Sequence, residues 1–247
     1  MFSGLSVILP VVTETDSLDE TARVLQEGSD SDISEVLVVV CERTTGESLA
    51  RCERLADRFG DRLRIHRQML PYLGGAMREA FHLSTASHVL MMASDLETDP
   101  RIVPELIATA KAHPRAIVTA SRWASGGGFT GYGLVRVGLN WLFQRLTSVV
   151  YGSHLTDATF GYRLFPAPLV KAISWEGLRH ELLLETVLKP LRLGVEVVEV
   201  ATQWTPRHEG ESQNSLRTQA RYIRTLATNR FKPRSAIIRT ATTDRSS

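Results

Sequence analysis

The chain has 247 residues, 43% of them apolar, which is enough for one large domain or two small ones with a real core. Its formal charge of +2 excludes little, but its seven histidines are scattered and Cys41 and Cys52 lie in no metal-ligand spacing, so no zinc site is expected. No run reaches the roughly eighteen apolar residues of a membrane span and no signal peptide is visible, so we expect a cytoplasmic protein.

The first half of the chain alternates apolar runs with amphipathic segments. Such alternation is typical of βαβ units, so it predicts an α/β fold with a mostly parallel sheet and helices on both faces. The predicted strands cover residues 5–12, 35–41, 62–66, 88–93 and 116–120, and the predicted helices cover residues 17–26, 47–59, 74–84 and 101–112.

The second half is less regular. Its predicted elements are a glycine cluster at 126–128, a helix at 134–151, a turn-rich segment at 156–166, a helix at 178–193, a strand at 195–202 and a basic helix at 215–231. We predict one domain over residues 1–213, a basic C-terminal helix over residues 214–233 and a flexible tail over residues 234–247. From Arg207 onward nine Lys or Arg residues oppose three acids, which indicates either contact with phosphates or a solvated basic face.

Three carboxylates follow the fourth predicted strand, in "MMASDLETDP". Asp95, Glu97 and Asp99 lie where the strand leaves the core, and Pro100 begins the next helix. Helix capping explains one acid before a proline. Oxygen ligands for a divalent cation at the end of a parallel strand are the other explanation, and the stretch alone leaves both open.

Other charged and glycine-rich segments also have two interpretations. Glu14 follows the first strand, where it fits a solvated loop or a site. Gly74 and Gly75 begin a helix, where free N–H groups suit a phosphate and the missing side chains allow close backbone approach. The segment from Arg122 to Arg136 contains the glycine cluster and fits either a hinge or a mobile loop over a ligand.

Two later segments combine arginine with polar partners. Asp157 and Arg163 flank a glycine, which fits a buried ion pair at a turn. Arg207 and Ser212 share one polar loop with a glycine and offer the groups that grip a phosphate, although the pattern alone is weak.

The order of these motifs resembles family two glycosyltransferases of GT-A fold, in particular the dolichol- or polyprenyl-phosphate mannosyltransferases and glucosyltransferases. The resemblance covers roughly Leu5 to Ser212. It rests on "SVILPVVTE", "LGGA", "MMASDLETDP", "SRWASGGG", "DATFGYRLF" and "EVATQWTPRHEGES", which match the family's elements in the same order.

The resemblance implies an inverting sugar transfer from a nucleotide-diphosphate sugar, assisted by Mg²⁺ or Mn²⁺. Asp95 falls on the second acid of the family's D-x-D motif and Glu97 lies two residues later, so these two residues are the expected metal ligands. Ala93 replaces the first acid, and "CERTTGES" replaces the acidic segment that contacts the nucleotide in the family. The nucleotide of the donor is therefore not inherited from the resemblance.

The resemblance also implies roles for individual residues. We expect catalytic roles for Asp95, Asp157 and Arg207, with Asp157 as the general base if the acceptor is a hydroxyl. A polyprenyl phosphate acceptor arrives ionised and needs no strong base. The expected donor- and acceptor-binding residues are Pro10, Glu14, Gly74, Ser94, Asp95, Arg122, Arg136, Arg207 and Ser212.

The helix at 134–151 is apolar, but Trp141 and Arg145 suit an interfacial helix that meets a lipid acceptor. A core helix is the other interpretation. The expected partners are a nucleotide sugar, a lipid phosphate and the inner face of a membrane rather than a nucleic acid, and self-association is left open. A degenerate family member, which binds a nucleotide sugar without turnover as a regulatory or scaffold subunit, is the alternative function.

Overall fold

The computed structural model describes residues 1–131, 133–206 and 216–239. Its strands are β1 Leu5–Val11, β2 Ile33–Val40, β3 Leu63–Arg67, β4 His88–Met91, β5 Ile117–Ser121, β6 Gly128–Phe129, β7 Arg163–Pro166, β8 Val197–Ala201 and β9 Gln203–Trp204. Its helices are α1 Asp16–Ser29, α2 Gly46–Arg54, α3 Ala56–Phe59, α4 Tyr72–Leu83, α5 Val103–Ala112, α6 Leu134–Tyr151, α7 Ala167–Ala172, α8 Glu181–Leu193 and α9 Leu216–Phe231.

The main sheet has seven strands in the order β3-β2-β1-β4-β7-β5-β8, and β6 pairs with β9 beside it. All neighbours in the main sheet are parallel except β7, which runs antiparallel between β4 and β5. The predicted α/β fold with a mostly parallel sheet is confirmed.

The apolar residues of each strand alternate between the two faces of the sheet. Leu5, Val7 and Leu9 pack with α1, α2 and α5 on one face, while Ile8 packs with α4, α7 and α8 on the other. A third cluster lies between α6, α8 and α9. The sheet is therefore covered on both faces, as its nearly continuous apolar strands require.

Two boundaries differ from the sequence-based prediction. Strand β7 lies inside the segment predicted as turns. The sequence did not predict it because a four-residue stretch that begins with Arg163 and ends with a proline has no pattern typical of a strand. Residues 234–239, assigned by the sequence to a flexible tail, lie against the domain. Ile237 is fully buried, and the Arg239 N–H donates to the Ala172 carbonyl at 2.8 Å, so the folded part extends at least to Arg239.

Candidate active site

The carboxyl ends of the parallel strands lie on one edge of the sheet. Strand β1 pairs with β2 on one side and with β4 on the other, so the chain changes direction of travel across the sheet at β1. Open α/β sheets bind ligands in the crevice at such a switch point. The segments that follow β1 and β4 therefore line the candidate site.

The segment after β4, residues 93–99, is called here the acid loop. The Asp99 carboxylate accepts from the Arg101 N–H at 2.9 Å and caps the short 3-10 helix Pro100–Ile102. Asp95 is only 7% exposed, and its carboxylate accepts from the Glu97 N–H at 3.1 Å. Capping thus accounts for Asp99 and leaves Asp95 and Glu97 to another role.

Leu96, between these two acids, has a positive φ of 58°. That left-handed conformation is uncommon for a residue with a branched side chain and is found where the surrounding structure enforces it. The loop is therefore held in its shape by its neighbours rather than by its own backbone preference.

Tyr162 holds the acid loop from the side of the core. Its hydroxyl donates to the Ala93 carbonyl at 2.8 Å and to the Thr98 carbonyl at 3.2 Å, so it joins the two ends of the loop. Burial raises the pKa of Tyr162 well above its usual value, and the negative charges of nearby acids, Asp95 first, add to the effect. The hydroxyl consequently remains a protonated donor.

The segment 204–205 holds the same loop from its other side. The Trp204 indole N–H donates to the Glu97 carboxylate at 3.3 Å, and the Thr205 N–H donates to the Glu97 carbonyl at 3.0 Å. Trp204 also pairs with Thr98 in an isolated β-bridge. Sequence reasoning missed Tyr162 and Trp204, although both lie inside the motifs "FGYR" and "QWTPR" that carry the resemblance.

The donor groups of the acid loop suit a hard divalent cation. Asp95 and Glu97 supply carboxylates, and the Ser94 hydroxyl between Ala93 and Asp95 is buried without a hydrogen-bond partner in the described part of the chain. Among residues 1–131, 133–206 and 216–239, no three His, Cys, Asp or Glu side chains come together in a group that could hold a metal ion. Two carboxylates suffice for Mg²⁺ or Mn²⁺ when a substrate phosphate and water complete the coordination.

A buried ion pair joins the segment after β5 to the segment before β7. Asp157 is fully buried and accepts from the Arg122 guanidinium through Nε at 2.7 Å and Nη2 at 2.9 Å. The guanidinium lies within 5.1 Å of the centre of the Phe129 ring and within 4.7 Å of the centre of the Phe160 ring. Asp157 therefore pairs with Arg122, 35 residues away, and not with the nearby Arg163.

Arg163 has a structural role. It is fully buried and donates to the hydroxyls of Thr119 and Thr186 and to the carbonyl of Leu183. Burial lowers the pKa of Arg163 to about 10. This value is still well above neutral pH, so the side chain remains charged. These bonds fix the start of β7 against α8, directly after Tyr162.

Two residues that the sequence did not single out position Asp157. The Gln144 amide donates to the Asp157 carboxylate at 3.3 Å and accepts from the Ala158 N–H at 2.8 Å. The Glu199 carboxylate accepts from the N–H groups of Thr156 and Asp157 at 2.9 Å each. The sequence feature that could have indicated a role for Gln144 is its position as a single glutamine within an apolar helix.

The other predicted binding residues occupy varied environments. Pro10 lies within β1 and pairs with Val39. The Glu14 carboxylate accepts from the N–H groups of Val12 and Thr13 at 2.6 and 2.9 Å, so it closes the turn after β1. Arg136 is exposed in the first turn of α6.

Gly74 makes a close backbone contact. Its N–H donates to the Leu178 carbonyl at 2.8 Å, and a Cβ at this position would lie 2.5 Å from the Leu178 backbone. The N–H that we expected to meet a phosphate thus has a partner inside the protein. The predicted Arg207 and Ser212 lie outside the described residues.

Helix α6 exposes apolar side chains and buries polar ones. The residues that it buries are Gln144 and Thr147. Its exposed large apolar residues are Leu134, Val135, Leu139, Trp141, Leu142, Leu146 and Val149. Among the residues described, no helix combines the length and apolarity that crossing a membrane requires.

A family model for glycosyl transferase family 2 matches residues 6–173. The chain belongs to this family. Among curated members, the chain is 28% identical over 214 residues to an undecaprenyl-phosphate mannosyltransferase of Micrococcus luteus, a match that spans 84% of this chain and 86% of that protein. It is 27% identical over 226 residues to glycosyltransferase AglD of Haloferax volcanii, covering 82% of this chain and 33% of AglD.

Solved structures show the same fold at lower identity. Glucosyl-3-phosphoglycerate synthase of Mycobacterium tuberculosis, crystallised with Mn²⁺, uridine diphosphate and phosphoglyceric acid, superposes with a TM-score of 0.69 at 16% identity and covers 93% of this chain and 79% of that chain. A second mycobacterial protein superposes with a TM-score of 0.70 at 18% identity, covering 94% and 76%. This family 2 glycosyltransferase therefore has a GT-A fold.

Proposed function

We propose that this glycosyltransferase moves a sugar from a nucleotide-diphosphate sugar to a polyprenyl phosphate at a membrane surface, with inversion at the sugar and with a divalent cation. The observation that carries the proposal is the position of α6. This helix exposes its apolar side, while its buried Gln144 contacts the Asp157–Arg122 pair. An apolar surface attached to the candidate site suits an acceptor that is embedded in lipid. The relative named undecaprenyl-phosphate mannosyltransferase supports the same acceptor class.

Asp95 and Glu97 would hold the cation, which supplies positive charge beside the leaving diphosphate. Arg207 and Ser212 on the same diphosphate remain predictions from the sequence. In the transfer, an oxygen of the acceptor phosphate forms a bond to the anomeric carbon from the face opposite the diphosphate. The bond from that carbon to the diphosphate oxygen breaks, and the nucleoside diphosphate leaves with the electron pair.

The surroundings of Asp157 favour a phosphate acceptor over a hydroxyl. A hydroxyl acceptor needs a base that can reach it, but Asp157 is fully buried and faces Arg122 and Gln144. A phosphate acceptor is already ionised and transfers no proton. We therefore assign Asp157 the role of fixing Arg122 and the start of the segment that leads to Tyr162. The exposed Arg136 would meet the acceptor phosphate.

The basic C-terminal helix supports attachment at the membrane surface. Helix α9 packs beside α6, where the Tyr151 hydroxyl donates to the Leu226 carbonyl at 2.9 Å. Arg221, Arg224 and Arg230 belong to α9, and basic residues near an anionic surface contribute about 1 kcal/mol each. We propose peripheral attachment to the cytoplasmic face through α6 and α9.

The test is a transfer assay with labelled nucleotide sugars and vesicles that contain undecaprenyl phosphate. We expect label in the lipid phase for one donor, only with Mn²⁺ or Mg²⁺, and none from vesicles without the polyprenyl phosphate. Phosphoglyceric acid serves as a soluble acceptor for comparison. Label that appears only on the soluble acceptor would contradict the lipid part of the proposal.

A second candidate function is nucleotide-sugar binding without turnover. Ala93 favours it, because an acid of the family's metal motif is missing there. Mn²⁺-dependent binding of nucleotide without transfer from any donor would support it. If the wild type is inactive for this reason, Ala93→Asp should produce measurable transfer. If the wild type is already active, the substitution is not required for transfer.

A further inference from the structure

The inner side of α6 is attached to the domain by a stripe of hydrogen bonds, and Phe143, Val150 and Tyr151 also pack on the apolar cluster shared with α8 and α9. The Trp123 indole N–H donates to the Asn140 side chain at 2.8 Å, and Gln144 donates to the Thr159 hydroxyl at 2.9 Å. One turn further on, the Ser148 hydroxyl donates to the Ser153 and Leu155 carbonyls at 2.7 and 3.0 Å. Since the most deeply buried residues of α6 are Gln144 and Thr147, its docked position depends on this polar stripe as well as on that apolar packing.

Gln144 connects that stripe to the buried ion pair. It is 4% exposed, and its amide contacts the carboxylate of Asp157 and the hydroxyl of Thr159, both of which also accept from Arg122 Nη2 at 2.9 and 3.2 Å. Its carbonyl oxygen accepts from the N–H of Ala158. One side chain of α6 therefore shares its hydrogen-bond partners with the guanidinium of Arg122.

These shared partners couple the docking of α6 on the domain to the arrangement of the Asp157–Arg122 pair. In water the outer apolar side of α6 remains exposed, so the helix is held by the polar stripe and by the packing of Phe143, Val150 and Tyr151 on its inner side. At a bilayer that side becomes buried, which stabilises the docked helix by an amount that grows with apolar area. Whatever stabilises the docked position of Gln144 also stabilises the arrangement of Asp157 and Arg122, because a coupling between two sites acts in both directions.

We propose that Gln144 is a positioning residue that couples the attachment of α6 to a membrane with the ordering of the Asp157–Arg122 pair. The inference rests on the membrane attachment in the proposed function, but it does not depend on the identity of the sugar or on turnover. This coupling would order the Asp157–Arg122 pair most strongly when α6 lies on lipid, where the proposed acceptor is found.

Amide hydrogen exchange measures this coupling directly, with vesicles of phosphatidylethanolamine and phosphatidylglycerol as the probe. The Arg122 N–H donates to the Asp157 carboxylate at 3.3 Å, and the Ala158 N–H donates to Gln144, so these two amides report on the pair. In the wild type we expect vesicles to slow exchange of both amides by about fivefold or more, the lower end of typical coupling between sites. Amides in the centre of β1 should not change.

Two variants and a control locate the effect at Gln144. Gln144→Met removes the amide but keeps the length of the side chain, and Gln144→Glu keeps the acceptor for Ala158 while placing a carboxylate against Asp157. Both should bind vesicles, but the vesicles should no longer slow the Arg122 amide. Thr147→Val is the matched control, since the Thr147 hydroxyl is buried on the same side of α6 and bonds only within the helix, to the Phe143 carbonyl.

The possible results separate this inference from the proposed function. Equal slowing of the Arg122 amide in the wild type and in both Gln144 variants would overturn the role of Gln144. Vesicle binding by the wild type without any slowing would overturn the coupling, and absence of vesicle binding would overturn both the coupling and the membrane attachment. Failure of sugar transfer in the separate assay, with the exchange results as expected, would overturn only the enzymatic proposal.

Discussion

The acid loop and helix α6 place polar and apolar groups in opposite ways. The acid loop buries Asp95 and is held by side chains from two distant segments, Tyr162 at its ends and Trp204 at Glu97. Helix α6 exposes its apolar residues and buries a glutamine and a threonine. Neither arrangement follows from apolar packing alone, because each buried polar group needs hydrogen-bond partners and exposed apolar area costs free energy.

The difference is the basis for the ligands proposed for each region. A loop that presents carboxylates in a fixed conformation suits a small, highly charged ligand, as a diphosphate with its cation is. An exposed apolar helix suits the surface of a lipid bilayer. The two regions are linked through the Asp157–Arg122 pair: Gln144 of α6 donates to Asp157, and Arg122 lies over the ring of Phe160, which stacks on Tyr162.

The largest expected effect is on the pair that links the two regions. Arg122→Met leaves the Asp157 carboxylate buried without its ion-pair partner, so we expect the free energy of unfolding to fall by about 3–5 kcal/mol. Urea denaturation measures it. Arg136→Met, the same change at an exposed arginine, should leave the urea midpoint unchanged. A midpoint shift no larger than that of Arg136→Met would show that the pair does not hold the regions together.

Next comes the acid loop itself. Asp95→Ala should weaken Mn²⁺-dependent binding of a nucleoside diphosphate by more than the roughly 10–100-fold that is typical when a group merely orients a metal ligand. Titration calorimetry with and without Mn²⁺ gives the change. Asp99→Ala is the matched control: it removes a helix cap and an exposed ion pair with Arg101, at a cost of about 1 kcal/mol in stability, and should retain nucleotide binding. Equal affinity in the wild type and Asp95→Ala would argue against a metal role for this acid.

A smaller effect is expected on the apolar side of α6. Leu142 is 59% exposed, so Leu142→Glu should leave the fold intact but weaken vesicle binding by roughly tenfold, as expected from the loss of one apolar side chain at the interface. Co-sedimentation with anionic vesicles measures it. Ile65, an exposed apolar residue on the edge strand β3, provides the control Ile65→Glu. Equal losses in both variants would mean that α6 is not the membrane-binding surface.

An effect of similar size should come from the hydroxyl that joins the ends of the acid loop. Tyr162→Phe keeps the ring but releases the carbonyls of Ala93 and Thr98, so Mn²⁺-dependent nucleotide binding should weaken by about tenfold. Tyr151→Phe loses a comparable bond, to the Leu226 carbonyl, at the contact between α6 and α9. That variant should bind nucleotide normally, and a loss as large as that of Tyr162→Phe would point to general destabilisation.

The sequence predicted the parallel half of the fold better than the site. Strands such as Ile33–Val40 are long apolar runs, and their helices show a regular period, so both could be located from the residue pattern alone. Strand β7 could not, because it is short and is held in the sheet by its two neighbours rather than by its own residues.

Partners within the site were equally hard to predict. The acid loop follows from the spacing of its carboxylates, but the choice of Arg122 over Arg163 as the partner of Asp157 depends on the contact between two distant segments. The apolar character of α6 was visible in the sequence. That its glutamine, rather than its leucines, faces inward is decided by the buried carboxylate beside it.

The most direct test measures transfer of labelled sugar into vesicles with undecaprenyl phosphate for the wild type, Asp95→Ala and Leu142→Glu. Both variants are also assayed for nucleotide binding and for vesicle binding. We predict that Asp95→Ala binds vesicles but not nucleotide with Mn²⁺, that Leu142→Glu binds nucleotide but few vesicles, and that both transfer less sugar than the wild type. Transfer by Leu142→Glu at the wild-type rate, despite weak vesicle binding, would contradict the claim that the two regions serve one reaction at the membrane surface.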